Sequence, residues 1–186
     1  MEFYRHQHPG DPDWLVRAAL FHGHLGPWLV LGARIGADAL ARLDTPGQWK
    51  IEVVCWMPKS KQRTPFSCLL DGLQASTGAT MGKRNLRFAY APDVLDQGWP
   101  VVYVVRREDN GRPPEGVVYY PARELHALFA EVKPDRMEEA SRSLACEEEA
   151  RLFIANPMSP EAFSRYEQIL ACERAAIAEA AESDSA

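Results

Sequence analysis

The chain has no excess of basic residues. Its 186 residues include 21 Lys and Arg against 26 Asp and Glu, which gives a formal net charge of -5. Because nucleic-acid phosphates are bound by clustered Lys and Arg, this balance argues against a nucleic-acid partner. The basic run at residues 59–63 is short. A solvated loop is its favoured interpretation, and nucleic-acid binding is the weaker alternative.

Long apolar runs and targeting segments are also missing. No stretch of about 18 apolar residues occurs, so no membrane partner is predicted. The first six residues lack the basic and apolar regions of a secretory signal. The four cysteines contain no C-x-x-C pair, which excludes a zinc ribbon and a thioredoxin-type motif. We therefore expect a cytoplasmic protein with reduced thiols.

Apolar residues make up 46% of the chain, enough for the packed core of one domain. The composition predicts strands at residues 49–57, 86–91, 99–107 and 116–120, with a hairpin turn at 109–111. Helices are predicted at residues 11–22, 27–43, 67–77, 121–132, 134–155 and 160–181. These elements predict an α+β fold, with N-terminal helices packed on a mixed or antiparallel sheet. Residues 1–132 would form the core domain and residues 133–186 a helical C-terminal extension.

Several local patterns predict how the helices begin and pack. An Asp-Pro-Asp sequence at residues 11–13 predicts a carboxylate cap on the first helix. A Ser-Pro-Glu sequence at residues 159–161 predicts the start of the last helix. Gly32 and Gly36 lie four residues apart and leave a thin helix face where another backbone could approach closely. The alternative is that they only weaken the helix.

The segment of residues 21–28, FHGHLGPW, places two imidazoles two residues apart among glycines and a proline. Neutral imidazole is the commonest metal ligand and also performs acid/base chemistry near neutral pH. On a continuous helix, residues two apart do not share a face, whereas a break at Gly23 and Gly26 would let His22 and His24 converge. The alternative is that one ring caps the first helix and the other packs in the core.

A second group of candidate residues begins at Cys68. In the first turn of a helix its thiolate would be favoured by the helix dipole, which makes it a candidate third ligand. The alternative is a small buried hydrophobic residue. Asp71 and Gln74 follow near one face of the same helix. The glycine-flanked loop at residues 78–85 contains Lys83 and could hold an anion, although it lacks P-loop spacing and could be an ordinary connection.

Taken together, these segments resemble the FmdE family, which is named after a component of formylmethanofuran dehydrogenase. Its members carry a His-Gly-His-x-Cys-Pro-Gly motif and a Gly-x-Arg helix, similar to residues 22–28 and 32–34. They also carry a Cys-x-x-Asp-Ala-x-Gln helix and a Gly-x-Thr-x-Gly-Lys-x-Asn loop, similar to residues 68–74 and 78–85. The resemblance covers roughly residues 14–130 and says little about the C-terminal tail.

The resemblance implies an α+β core that binds zinc, or alternatively iron. The implied ligands are His22, His24 and Cys68. His22 is a ligand or a base, and Asp71 orients a ligand or takes a proton. The implied substrate contacts are Trp28 as an aromatic wall for a planar ligand, Gln74, and Lys83 and Asn85 for an anionic group.

The chain departs from the family pattern at several positions. Gly26 and Ala79 stand where members carry cysteine, Trp28 replaces a glycine, and the cysteine-rich zinc finger of some members is absent. Water or substrate would then complete the metal shell, or the site is remodelled without metal.

The predicted function is a cytoplasmic metal-binding protein that acts on a small one-carbon or cofactor-like substrate. The alternative is a metal-free protein with a degenerate site, which binds a small molecule or serves as an accessory to an oxidoreductase. We expect a homodimer, because dimers are the commonest oligomers and the tail offers apolar helical faces.

Overall fold

The computed structural model describes residue 4, residues 8–89 and residues 99–183, except the side chains of residues 59 and 176–183. Its helices are α1 (Asp13–His22), α2 (Pro27–Arg42), α3 (Cys68–Thr77), α4 (Glu124–Ala130), α5 (Met137–Ala145), α6 (Glu149–Leu152) and α7 (Pro160–Ser183). Its strands are β1 (Ile51–Trp56), β2 (Leu86–Ala89), β3 (Val101–Arg106), β4 (Glu115–Pro121) and β5 (Phe153–Pro157). Short 3-10 turns occur at Gln48–Lys50, Lys59–Lys61 and Pro134–Arg136.

The five strands form one mixed sheet in the order β2-β1-β3-β4-β5. Strands β1 and β2 are parallel, and the other neighbouring pairs are antiparallel. The hairpin predicted at residues 109–111 joins β3 to β4. Asn110 and Gly111 have φ values of 52° and 80°, the left-handed conformation that a tight turn between strands favours. The predicted α+β fold is confirmed.

Alternate residues of the central strands face two separate cores. Val53 and Cys55 of β1 belong to the core that α1, α2 and α3 complete. Val54 and Trp56 belong to a second core, which includes Tyr166 and other residues of α7. The sheet is therefore buried on both faces, with helices as the outer layers.

Helices α2 and α3 pack with their backbones in close contact. A Cβ atom at Gly32 would lie 2.1 Å from the carbonyl oxygen of Leu69, and one at Gly72 would lie 2.0 Å from that of Leu29. Neither distance leaves room for a side chain, so the thin helix face predicted at Gly32 does receive another backbone. This contact holds the N-terminal half of α3 beside the segment that joins α1 to α2.

Two predicted helices in the second half of the chain differ from the structure in their extent. The helix predicted at residues 134–155 is divided into a 3-10 turn, α5, α6 and strand β5. Residues 153–157 instead pair with β4 at the edge of the sheet, and this pairing overrides the helix predicted as far as residue 155. The helix predicted at residues 121–132 is shortened to α4 because Pro121 is the last residue of β4.

The predicted carboxylate cap on α1 was also wrong. Pro12 occupies the cap position, and no side chain caps the helix. The carboxylate of Asp11 instead accepts a hydrogen bond of 2.8 Å from Nε of Arg142, which joins the start of α1 to α5. The start of α7 was predicted correctly, since the Ser159 hydroxyl accepts a hydrogen bond of 3.2 Å from the backbone N–H of Ala162.

Parts of two predictions lie outside the described residues. Strand β2 confirms the strand predicted at residues 86–91 as far as residue 89, and residues 90–91 lie beyond the described part. The C-terminal extension predicted at residues 133–186 ends with residues 184–186, which are also not described. Among the helices that the structure describes, none combines the length and apolar character needed to cross a membrane.

Candidate functional site

The end of α1 places His22 against α3. Gly23 terminates the helix with φ 92°, a left-handed conformation that glycine adopts without steric cost. Nδ1 of His22 lies 2.7 Å from Oδ2 of Asp71, in the first turn of α3. The His22 side chain is 10% exposed and that of Asp71 is 46% exposed. The predicted helix break therefore brings together two residues that lie 49 positions apart in the sequence.

Among the described residues, the other ring nitrogen of His22 has no partner in hydrogen-bonding geometry, although the Cys68 side chain interacts with the ring. Its Nε2 is buried and makes no hydrogen bond with the described residues. Hydrogen bonding with the Asp71 carboxylate, followed by a contribution from the nearby Cys68 sulfur, raises the pKa of His22 to about 9. A protonated ring at neutral pH would carry a buried, unsatisfied N–H, which costs about 1–3 kcal/mol. A ligand or ion that engages Nε2 would remove this cost.

Cys68 is the first residue of α3 and is 8% exposed. Its sulfur is close enough to raise the pKa of His22, but it does not form a hydrogen bond with Nε2. The Cys68 thiol and the His22 imidazole, which belong to two separate motifs, therefore lie side by side.

His24 adjoins the same place from the exposed side. The centroids of the His22 and His24 rings are 4.3 Å apart, with 43° between their planes. Partial burial, followed by the charge of His22, lowers the pKa of His24. A Cβ atom at Gly26 would lie 3.3 Å from Nε2 of His24, so a side chain at position 26 would touch this imidazole. The segment between α1 and α2 thus gathers both imidazoles on the N-terminal half of α3.

Cys68 begins α3, whereas Lys83 and Asn85 follow the end of this helix. Because a helix of ten residues is about 15 Å long, the length of α3 separates them from Cys68. Asn85 is fully buried, and its side chain bonds to backbone N–H and carbonyl groups of the surrounding loops. The Lys83 ammonium donates a hydrogen bond to the carbonyl of Gly78. These two side chains hold the loop in shape, and the structure does not bring them to His22.

Trp28 belongs to a buried aromatic cluster that follows the histidine segment. Its side chain is 2% exposed, and its ring centroid lies 5.0 Å from that of Phe66, 5.9 Å from Trp99 and 5.3 Å from Phe129. His126 stacks on Phe66 with centroids 5.4 Å apart. This cluster was not predicted from the sequence, because its members come from distant segments with no shared pattern. Apart from Trp28, the cluster member nearest to a recognised motif is Phe66, which lies two residues before Cys68.

Gln74 lies one turn beyond Asp71 on α3 and is partly buried. Its position continues the helix face that carries Asp71, as the spacing predicts. Its role as a substrate contact stays a prediction.

Within the described part of the chain, no group of three or more His, Cys, Asp and Glu side chains is arranged to hold a metal ion. The donor chemistry at His22 nevertheless fits one. A metal-ligating histidine commonly donates its other N–H to a carboxylate, as Nδ1 of His22 can to Asp71. Imidazole and thiolate together suit zinc or iron. The residues therefore fit a metal through His22 and Cys68, with His24 adjoining.

The fold and the site define a class of protein: an α+β domain in which a helix-terminal histidine meets a carboxylate and a thiol of a second helix. The family model described as "FmdE, Molybdenum formylmethanofuran dehydrogenase operon" matches residues 21–164. This match covers most of the chain, and the chain belongs to the FmdE family. The matched region begins one residue before His22 and ends within α7, so it includes β5.

A protein of Archaeoglobus fulgidus named "Probable S-adenosyl-L-methionine-binding protein" is 31% identical to this chain over 121 residues. The similar region covers 62% of this chain and 29% of the relative. The chain therefore spans less than a third of the length of the curated relative that it matches.

Proposed function

We propose that this protein binds a metal ion, zinc or iron, through His22 and Cys68, with His24 as the third ligand. The observation that supports the proposal is the buried, unpartnered Nε2 of His22, whose Nδ1 lies 2.7 Å from the Asp71 carboxylate. A carboxylate on Nδ1 selects the tautomer that presents a lone pair at Nε2. The metal would supply Lewis-acid chemistry to a small substrate or a bound water.

Each residue of the site has a role that follows from its position. Asp71 orients the His22 ring, and the first turn of α3 holds the Cys68 sulfur near that ring. The exposed His24 ring marks the side from which a ligand can enter. Gly26 carries no side chain, so it leaves space beside that ring. The substrate that we propose is a small one-carbon or cofactor-like molecule.

Metal analysis of protein purified without an affinity tag tests the proposal. We expect about one zinc or iron ion per chain, bound by imidazole and thiolate ligands. Cys68→Ser and His22→Gln should lose the metal, and Asp71→Asn should weaken its binding about 10- to 100-fold. Cys146→Ser and His8→Gln are matched controls at exposed positions and should retain it.

Circular dichroism of each variant separates loss of metal from loss of fold. Absence of stoichiometric zinc and iron from the folded wild-type protein would overturn the proposal. A metal content unchanged in both His24→Ala and Cys68→Ser would overturn the ligand assignment.

A second candidate function follows from the finding that the described residues contain no group of three metal ligands. In this proposal the site holds no metal, and Nε2 of His22 is a polar contact for a small molecule, in a binding or accessory protein of an oxidoreductase. The name of the Archaeoglobus relative makes S-adenosyl-L-methionine one compound to test, although this chain covers 29% of that protein.

Native mass spectrometry and titration with S-adenosyl-L-methionine test this second candidate. An organic ligand that is retained without metal, and is lost in His22→Gln, would support it. Stoichiometric metal in protein that retains no organic ligand would reject it.

A further inference from the structure

A cleft of about 250 Å³ lies between the start of β2 and helix α7. Helix α7 covers the face of the sheet opposite to α3, so the cleft is separate from the histidine site. Arg84, Arg87 and Arg174 line it, and Glu173 is the one carboxylate among its lining residues. Apolar side chains, among them Leu170, form the rest of its wall.

The three arginines differ in how they are held. Arg87 is fixed by two carboxylates, at 3.1 Å from Glu52 and 3.3 Å from Glu173. Arg174 forms a weaker ion pair, at 3.8 Å, with the exposed carboxylate of Glu167. The guanidinium of Arg84 forms no hydrogen bond or ion pair with the described side chains, although its charge acts on the Glu173 carboxylate. Arg84 and Arg174 therefore keep N–H donors available for a ligand.

The charges of the described residues around the cleft leave one guanidinium group without an ion pair. Glu52 and Glu173 pair with Arg87, and Glu167 pairs with Arg174, but none of these carboxylates pairs with Arg84. A guanidinium matches the geometry of a carboxylate or phosphate and binds either with two parallel hydrogen bonds. The volume lies below the roughly 300–1,000 Å³ of sites for drug-sized ligands, so it suits one small anion.

The neighbouring loop contributes Arg84, and not Lys83, to the lining of the cleft. The ammonium of Lys83 is turned to the Gly78 carbonyl and lies 5.4 Å from the ring centroid of Trp49. The next residue, Arg84, is the one that lines the cleft. The loop that the sequence marks as a candidate anion site thus contributes the adjacent cation, on the side of α7.

We propose that this cleft binds a small oxyanion ligand, a phosphate monoester or a carboxylate with a short apolar part, through Arg84 and Arg174. Arg87, held by Glu52, lines the cleft between β2 and α7, and the apolar wall contacts the uncharged part of the ligand. The proposal does not depend on the metal site at His22.

Isothermal titration with phenyl phosphate, benzoate, inorganic phosphate and benzyl alcohol tests the proposal. We expect saturable binding of phenyl phosphate or benzoate, and whichever binds more tightly identifies the oxyanion. Arg84→Ala and Arg174→Ala should each weaken binding about tenfold or more, as expected for loss of a hydrogen bond to a charged group. Arg151→Ala, which removes an exposed arginine outside the cleft, is the matched control and should bind as the wild type does.

Several results would overturn the proposal. These are equally strong binding of neutral benzyl alcohol, no saturable binding of either organic anion up to about 10 mM, or equal weakening by Arg151→Ala. Tighter binding of a short oligonucleotide, weakened by the same two variants, would assign the cleft to nucleic acid instead. We expect His22→Gln and Cys68→Ser to bind the organic anions as the wild type does, because the cleft is independent of the histidine site. Loss of anion binding in these variants, if they remain folded, would contradict that independence.

Discussion

Replacing Gly32 by alanine tests the backbone contact that sets α3 against the histidine segment. The new Cβ would lie 2.1 Å from the Leu69 carbonyl oxygen, whereas ordinary contact begins near 3.4 Å, so the helices must separate locally by about 1.3 Å. Its next neighbours are also backbone atoms, which cannot rotate away. Overpacking of this kind costs about 1–3 kcal/mol or more, against about 1 kcal/mol gained from helix propensity. Because the clash of 2.1 Å with backbone is severe, we take the upper end of this cost and expect a net loss of up to about 2 kcal/mol in the free energy of unfolding.

Gly36 provides a matched comparison on the same face of α2. Its Cβ would meet Oγ of Ser76 at 2.0 Å and a methyl group of Thr77 at 2.8 Å, which are side-chain atoms. Gly36→Ala should therefore cost less than Gly32→Ala, because side chains can change rotamer while the backbone of α3 stays in place. Adding Ser76→Ala should recover part of the loss in Gly36→Ala and none of the loss in Gly32→Ala.

Urea unfolding followed by circular dichroism and tryptophan fluorescence measures these differences as changes in midpoint at constant slope. Gly82→Ala is the control, because the nearest atom to its Cβ would lie 3.9 Å away. Helix propensity alone predicts that Gly32→Ala is more stable than the wild type. A midpoint for Gly32→Ala at or above that of the wild type would refute the close-contact reasoning.

Three further predictions concern groups that hold the fold around the site. Asn85→Ala should lower the unfolding free energy by about 2–4 kcal/mol in the same urea assay, because it removes buried bonds at both ends of one side chain. Tyr119→Phe should cost about 1 kcal/mol, and Asp38→Ala should cost more, because the Tyr119 hydroxyl that donates a 2.8 Å hydrogen bond to Asp38 would then be left buried and unpaired. The Arg142 guanidinium lowers the pKa of Asp11 to about 2 from 3.8, so this pair stabilises the fold fully above about pH 4 and loses its effect as the pH falls towards 2. Unfolding midpoints measured from pH 5 to 2 should therefore fall less steeply in Asp11→Asn, and an unchanged slope would contradict the assignment.

Features that depend on neighbouring residues could be predicted from the sequence. The hairpin at residues 109–111 and the start of α7 follow from turn and cap chemistry within four residues. The histidine segment and the Cys68 helix could be recognised as two candidate parts of one site because each carries its own motif. Their convergence could not be derived, since it requires the position of α3 relative to α1.

Two segments of the chain show where local sequence patterns predict the wrong structure. Asp11 has the composition of a helix cap, yet its carboxylate bonds to Arg142, which lies 131 residues away. Residues 153–155 were predicted as the end of a helix but, together with residues 156–157, they complete the edge of the sheet beside β4. In both cases a long-range partner outweighs a local preference, because local preferences differ by about 1 kcal/mol or less per residue.

The sequence by itself determined the fold class, the family and the types of side chain available for chemistry: two imidazoles, a carboxylate and a thiol. These follow from composition, period and short motifs, which act over a few residues. The tertiary structure alone decided that Asp71 holds His22, that Nε2 of this ring stays buried and unpartnered, and that Arg84 lines the cleft beside α7. The physical reason is the glycine contact between α2 and α3, together with the pairing of the sheet, which places residues far apart in sequence at hydrogen-bonding distance.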